Sequence, residues 1–237
     1  MPRKHLIALG INKKQQTQAK LWMKLAKEIK VAAKIGGTNV DSNSRLKRAI
    51  DKALANNLSK ESIDKNIFGA NKDSELLQDL EYELFAENGL QLIVEAVSNN
   101  TNRTISAIRG YAAKLNANIA KQNSVKTNFK LRGEFLIPND NDMSLDYILE
   151  KLIDSPIEDI INNDDCYQVL VLSKDFNAVK KIIDDVPIKL IDSGIRYVAS
   201  TYVDISKEQF LKLEKFLESC NNDEDIQNVV TNLGDII

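Results

Sequence analysis

The sequence predicts an α+β protein: an N-terminal three-helix bundle followed by small α/β units. Three observations carry that prediction. Apolar residues recur at helical spacing through the first seventy or so positions. Near Leu76 the period switches to two, with β-favouring residues on either side of an Asn-Gly turn. Beyond that turn, helices and strands alternate in pieces too short for a doubly wound nucleotide-binding domain.

The first helix is expected over Lys13 to Ile35. Projected at about 100° per residue, Leu21, Trp22, Leu25, Ala26, Ile29, Ala32 and Ala33 fall in one apolar arc. Lys20, Lys24, Lys27, Lys30 and Lys34 fall in the opposite one, with Met23 and Val31 among them. Gly36-Gly37 supplies the stop, since glycine tolerates the left-handed geometry of a helix C-cap. A loop, Gly36 to Asn43, leads to a second helix, where Leu46, Ala49, Ile50, Ala53 and Leu54 mark a buried face. Arg45, Arg48 and Lys52 line its other side. Ser59 caps a short third helix through Ile63 and Ile67, expected to close at Gly69.

EYELFAEN and LQLIVEAV read as two strands around Glu87-Asn88-Gly89. TNRTISAIRGYAAKLN reads as a helix with Thr101 or Asn102 as cap, and with Arg103 and Arg109 outside its apolar face. Two strands follow, Val125 to Leu131 and Glu134 to Ile137. After Pro138 come a helix at Ser144 to Ile153, a strand at Cys166 to Leu172 and a helix at Asn177 to Asp185. A strand at Ile195 to Val203, a helix at Lys207 to Ser219 and an edge strand at Ile226 to Thr231 complete the series.

The chain of 237 residues is long enough for two or three small domains with their own cores. Its net charge of −2 conceals an asymmetry. Residues 1–72 hold 16 Lys and Arg against 5 Asp and Glu, a net of +11. Residues 73–134 are near neutral at −1, and residues 135–237 carry −12. A basic head suggests contact with a polyanion, and an acidic tail suggests either a basic partner or protection from non-specific association.

Conventional catalytic constellations are missing from the sequence. The lone histidine, His5, lies in the first dozen residues, read as a basic arm. Cys166 and Cys220 are isolated, which fits a reducing compartment and neither a zinc site nor a disulfide framework. There is no phosphate-binding glycine loop. Asp164-Asp165, Asp184-Asp185 and Asp223-Glu224-Asp225 read as solvated turns. No enzyme and no cofactor are expected. With no apolar run of membrane-spanning length, no membrane association is expected, and the cytoplasm is the expected location.

Several stretches together resemble the YebC/PmpR family, which has a mitochondrial branch. KLAKEIKVAAKIGG is similar to its first-helix signature, and NSRLKRAIDKALANNLSKESIDKNI to its second and third helices. ELFAENGLQLIVEAVSNNTNRTISAIR matches the hairpin and the helix start carrying an Asn-Arg-Thr triplet, here Asn102-Arg103-Thr104. NSVKTNFKLRGEF and DEDIQNVVTNL resemble the later strands. The departures are Pro2-Arg3-Lys4-His5-Leu6, the glutamine-rich run before the first helix, and Asn116-Ala117 in place of a glycine pair. They suggest a divergent subgroup.

The resemblance implies three domains: a basic helical bundle at 1–75, a central α/β domain at 76–134 with 204–237, and an acidic α/β domain inserted at 135–203. It also implies a bacterial nucleic-acid-binding regulator of gene expression, a DNA-binding transcriptional regulator as the family is described. The alternative within that class is a ribosome- or RNA-associated translation factor, as its mitochondrial branch is described, with ribosomal or messenger RNA as partner. The alternative of another class is a protein-interaction adaptor working through the acidic half. Candidate nucleic-acid contacts are Arg3, Lys4, Lys13, Lys20, Lys24, Lys27, Lys34, Arg45, Arg48 and Lys52, with Arg103 and Arg109 as a second surface. For Arg103 a structural ion pair with acidic neighbours is an equal alternative. Charge reversal at Lys24 and Lys27 is expected to leave the fold intact and to weaken polyanion binding by orders of magnitude at low salt.

Overall fold

The structure, a computed structural model, describes residues 18–73, 77–139, 143–163 and 166–237. The chain divides into two compact units. The larger holds the described residues of Lys13–Lys126 with Val203–Thr231 and Ile236–Ile237; the smaller holds those of Thr127–Tyr202 with Asn232–Asp235.

The larger unit begins with three helices, α1 (Gln18–Gly36), α2 (Ser44–Ala55) and α3 (Lys60–Asp73). Leu25, Ile29, Ala32 and Ala33 of α1 pack with Leu46, Ala49 and Ala53 of α2 and Ile63, Ile67 and Ala70 of α3. Asn43 joins the first two helices. Its Oδ1 accepts from Leu46 N–H as the α2 N-cap, while its Nδ2 donates to the carbonyls of Ala32 and Gly37 at 2.8 and 2.7 Å. A Cβ on Gly36 would lie 2.6 Å from that amide, so the close approach excludes any side chain there. Helix α3 does not stop at Gly69. Its buried face continues to Ala70, and that packing outweighs the roughly 1 kcal/mol cost of a glycine within a helix.

The hairpin forms as its turn chemistry dictates: β1 (Gln78–Phe85) pairs antiparallel with β2 (Gln91–Ser98), and Asn88 and Gly89 hold φ of 59° and 76°. Helix α4 (Thr101–Lys114) is capped by Asn100, one residue before the expected caps, because the Asn100 Oδ1 accepts from Arg103 N–H at 3.0 Å. The short β3 (Asn118–Ile119) lies on the free edge of β1.

Between β3 and the next long strand stands a single 3-10 turn at Lys126–Asn128, and one strand, β4 (Phe129–Pro138), replaces the two expected there. The Arg132-Gly133-Glu134 stretch is the middle of a strand. Gly133 is required because Phe176 lies against it: a Cβ would meet Val171 Cγ2 at 2.6 Å and Phe176 Cδ2 at 2.9 Å. The smaller unit continues with α5 (Leu145–Leu152), β5 (Ile157–Asn162), β6 (Cys166–Leu172), α6 (Phe176–Asp185) and β7 (Asp192–Ala199). The strand order β5-β6-β4-β7, all antiparallel, is that of a split βαβ unit. Its core sets Phe135, Ile137, Val169 and Val171 against Ile148 and Leu152 of α5 and Phe176, Val179 and Ile183 of α6. The Phe135 and Phe176 rings stack at 4.9 Å. Strand β5 has no counterpart in the sequence reading.

After β8 (Val203–Ile205), helix α7 (Lys207–Asn222) packs on α4, and β9 (Ile226–Thr231) adds to β2. A last strand, β10 (Leu233–Ile236), follows. The sheet of the larger unit therefore runs β3-β1-β2-β9, with β1 and β2 its inner strands. Replacing Gly133 by alanine is expected to lower stability by about 1–3 kcal/mol through overpacking against Val171 and Phe176. Urea denaturation checks it, and an unchanged midpoint would mean that the two side chains yield without strain.

Candidate nucleic-acid interface

Helix α1 meets β2 and the segment that enters β9 as well as α2 and α3, so two of its faces are covered rather than one. The apolar face meets α2 and α3. The opposite face carries Lys24 and Val31, which are 7% and 2% exposed. Lys24, expected in the arc opposite the apolar one as a candidate nucleic-acid contact, is therefore buried rather than presented to solvent. Helical projection sorts residues by one partner and cannot register a second arriving from the far end of the chain.

That second partner is the segment Cys220–Asp225. Lys24 Nζ lies 3.5 Å from the Cys220 carbonyl, and burial lowers its pKa to about 8 against the pull of Asp223. Tyr111 of α4 donates to Asp223 Oδ2 at 3.0 Å, and burial and that bond push its hydroxyl up to about 12. Asp225 is the centre of the arrangement. Its Oδ1 accepts from Lys27 Nζ at 2.8 Å. Its Oδ2 accepts from Arg103 Nη2 at 2.7 Å, Arg103 Nε at 3.1 Å, Ser98 Oγ at 3.0 Å and Thr104 Oγ1 at 3.2 Å. Burial pushes the Asp225 carboxyl up, but Lys27 and Arg103 outweigh it and hold it below its ordinary value. Asp225 is 4% exposed, so its placement in a solvated turn is corrected too. No local signal marks it; its partners are separated from it by more than a hundred positions.

The remaining candidates divide by what holds them. Arg45 forms a two-sided clamp, to Glu28 through Nε (2.8 Å) and Nη2 (3.2 Å) and to Asp79 through Nη1 (2.7 Å) and Nη2 (3.0 Å). The hydrogen bond to Asp79 is the largest influence raising its pKa. Arg103 takes the ion-pair alternative while its side chain stays 54% exposed. Lys20 and Arg48 are half-buried, whereas Lys34, Lys52 and Arg109 are exposed. Arg3, Lys4 and Lys13 lie outside the described residues. Lys47, on the outer side of α2, is exposed and was missed by the sequence reading.

Beside α1 a cleft of about 270 Å³ opens, lined by Met23, Ala26, Lys27, Lys30, Asn66, Leu77 and Asn99. Among the described residues no group of three His, Cys, Asp or Glu could hold a metal ion, and no helix is long and apolar enough to cross a membrane.

Three comparisons bear on this geometry. Residues 3–73 match the family described as the TACO1/YebC protein N-terminal domain, and residues 77–233 match the TACO1/YebC second and third domain. A probable transcriptional regulatory protein of Malacoplasma penetrans is 51% identical with both chains covered in full. One from Mycoplasma pneumoniae is 43% identical over 98% of this chain and 99% of its own. The crystal structure of a conserved hypothetical protein, Aq1575 of Aquifex aeolicus, superposes with a TM-score of 0.84 at 27% identity, covering 94% of this chain and 92% of that one.

Two outcomes are expected. Lys24 is charged in both folded and unfolded chains below pH 8, so its burial penalty is then carried in full; the penalty is relieved as the pH rises from about 8 towards 10.5. Lys24→Met should therefore raise stability at pH 7 by up to roughly 3 kcal/mol, and the advantage should shrink across that interval when both proteins are unfolded in urea. Asp225→Ala should cost about 3–5 kcal/mol, since it leaves Lys27 and Arg103 without their counter-charge. Asp225 stabilises fully above the ordinary carboxyl value of 3.8, and that stabilisation is lost as the pH falls below it. The gap between wild type and variant should accordingly narrow in acid.

Proposed function

Since the chain belongs to the TACO1/YebC family, whose relatives are named probable transcriptional regulatory proteins, we propose that it regulates gene expression by binding nucleic acid, with DNA as its target. The observation that carries this reading is the segregation of charge, a net of +11 confined to residues 1–72. Exposed Lys34, Lys47 and Lys52 of the helical head are the side chains that neutralise phosphates. Lys24 and Arg45 are not the primary contacts, because Lys24 is buried and Arg45 is clamped between two carboxylates, while Lys27, bound to Asp225, contributes at most one further proton. Lysine is a compact point charge that recognises phosphate without reading base edges, so affinity comes mainly from the backbone. The same chemistry supports the translation-factor alternative, because ribosomal RNA offers phosphates as readily as duplex DNA. The adaptor alternative rests on the −12 charge of residues 135–237 alone.

Replacing Lys34, Lys47 and Lys52 together by Glu should weaken binding to both DNA and RNA by at least tenfold at low salt. The slope of log affinity against log salt should fall by about 0.7–0.9 for each phosphate that is no longer neutralised. Lys24→Met should leave affinity within about twofold, since that side chain is held inside the fold. Fluorescence anisotropy across a salt series measures all three, and an unaltered slope in the triple variant would remove the helical head from the interface.

A further inference from the structure

We infer that the cleft beside α1 seats one unpaired nucleotide of a single-stranded nucleic acid, an inference that deepens the nucleic-acid reading and rests on it. The cleft joins three kinds of surface that a nucleotide requires. Met23, Ala26 and Leu77 give it an apolar wall, and Met23 is 41% exposed. A thioether beside aliphatic carbon suits the flat face of a heteroaromatic ring.

The second surface is a pair of amides with complementary capacity. Asn66 donates through Nδ2 to the Ser62 carbonyl at 2.7 Å, which leaves its Oδ1 as an acceptor. Asn99 accepts through Oδ1 from Arg103 Nη2 at 3.2 Å, which leaves its Nδ2 as a donor. One acceptor and one donor lining the same cleft match the mixed Watson–Crick edge of a base, an edge that is free only when the base is unpaired.

The third surface is cationic. The Lys27 ammonium donates to Asp225 Oδ1 and to the Glu224 carbonyl, and its third proton can serve a phosphate oxygen. Lys30 adds a second positive charge on the lining. The carboxylates nearby are Asp223, Glu224 and Asp225, of which Asp225 is buried and already engaged by Lys27 and Arg103. At about 270 Å³ the cleft is slightly smaller than the roughly 300 Å³ at which small-molecule pockets begin. It has room for a single ring and sugar and none for a base pair.

The test is fluorescence anisotropy with one labelled 15-nucleotide sequence offered as single-stranded RNA, as single-stranded DNA and as the DNA duplex. The proteins are wild type, Ala26→Phe, which fills the cleft, and Asn66→Leu, which removes the acceptor with little change of volume and guards against misfolding of the first variant. The inference expects the full chain to bind a single strand more tightly than the duplex. Both variants should lose about tenfold for that strand, on the scale of one base contact, with duplex affinity within twofold. Comparison of the two single strands shows whether the sugar is ribose or deoxyribose, and either preference supports the inference. Single strands bound equally by wild type and both variants would overturn it while leaving nucleic-acid binding in place. Absence of binding to any of the three would overturn the nucleic-acid reading itself.

Discussion

The Asp225 carboxylate is the interaction on which the larger unit depends. One buried side chain binds Lys27 of the first helix, Ser98 at the end of β2, and Arg103 and Thr104 in the first turn of α4. Its own backbone carbonyl accepts from Val97 N–H at 2.7 Å and its N–H donates to Asp223. A single charge thus ties the segment entering β9 to three elements that precede it by more than a hundred residues. Burial of a carboxylate is unfavourable unless paired and hydrogen-bonded, and here two cations and two hydroxyls satisfy it. The Asn-Arg-Thr triplet acquires a physical explanation from this: its arginine and threonine both serve Asp225, while the preceding Asn100 caps the helix that presents them.

Such a hub also governs what the basic helix can offer to solution. Helix α1 looks like a helix with one dry and one wet face, yet the structure covers part of the second face with residues that return at the chain's end. Lys24 is buried beside the Cys220 carbonyl and Lys27 is bound to Asp225, so the positive charge that reaches solvent shifts towards Lys34 and the outer side of α2. Arg45 shows the same logic, since Glu28 and Asp79 occupy its guanidinium from two directions. Positive charge counted along the sequence therefore overstates what is accessible.

Local chemistry was legible wherever one short segment contained all the determinants. The Asn88-Gly89 turn, the alternation in β1 and β2 and the helical spacing of α2 and α6 belong to this class. The two-strand reading of 125–137 failed because Gly133 looked like a break, whereas it is the point at which the Phe176 ring lies against β4. Helix α3 passed through Gly69 because its buried face, which includes Ile67, continues beyond the glycine to Ala70. Strand β5 was illegible because its pairing with β6, rather than its own pattern, makes it a strand.

By itself the sequence determined the α+β class, the helical head, the hairpin and the partition of charge between the two ends of the chain. These follow from periodicity, turn chemistry and counting, all of which are properties of neighbouring residues. Only the tertiary structure decided which lysines are buried or paired and which reach water, and where a cleft lined by two asparagines and two lysines opens. That decision depends on contacts between residues some two hundred positions apart, such as Lys27 with Asp225. Side chains at that separation meet because β9 pairs with β2, and no local pattern encodes the register in which they do so.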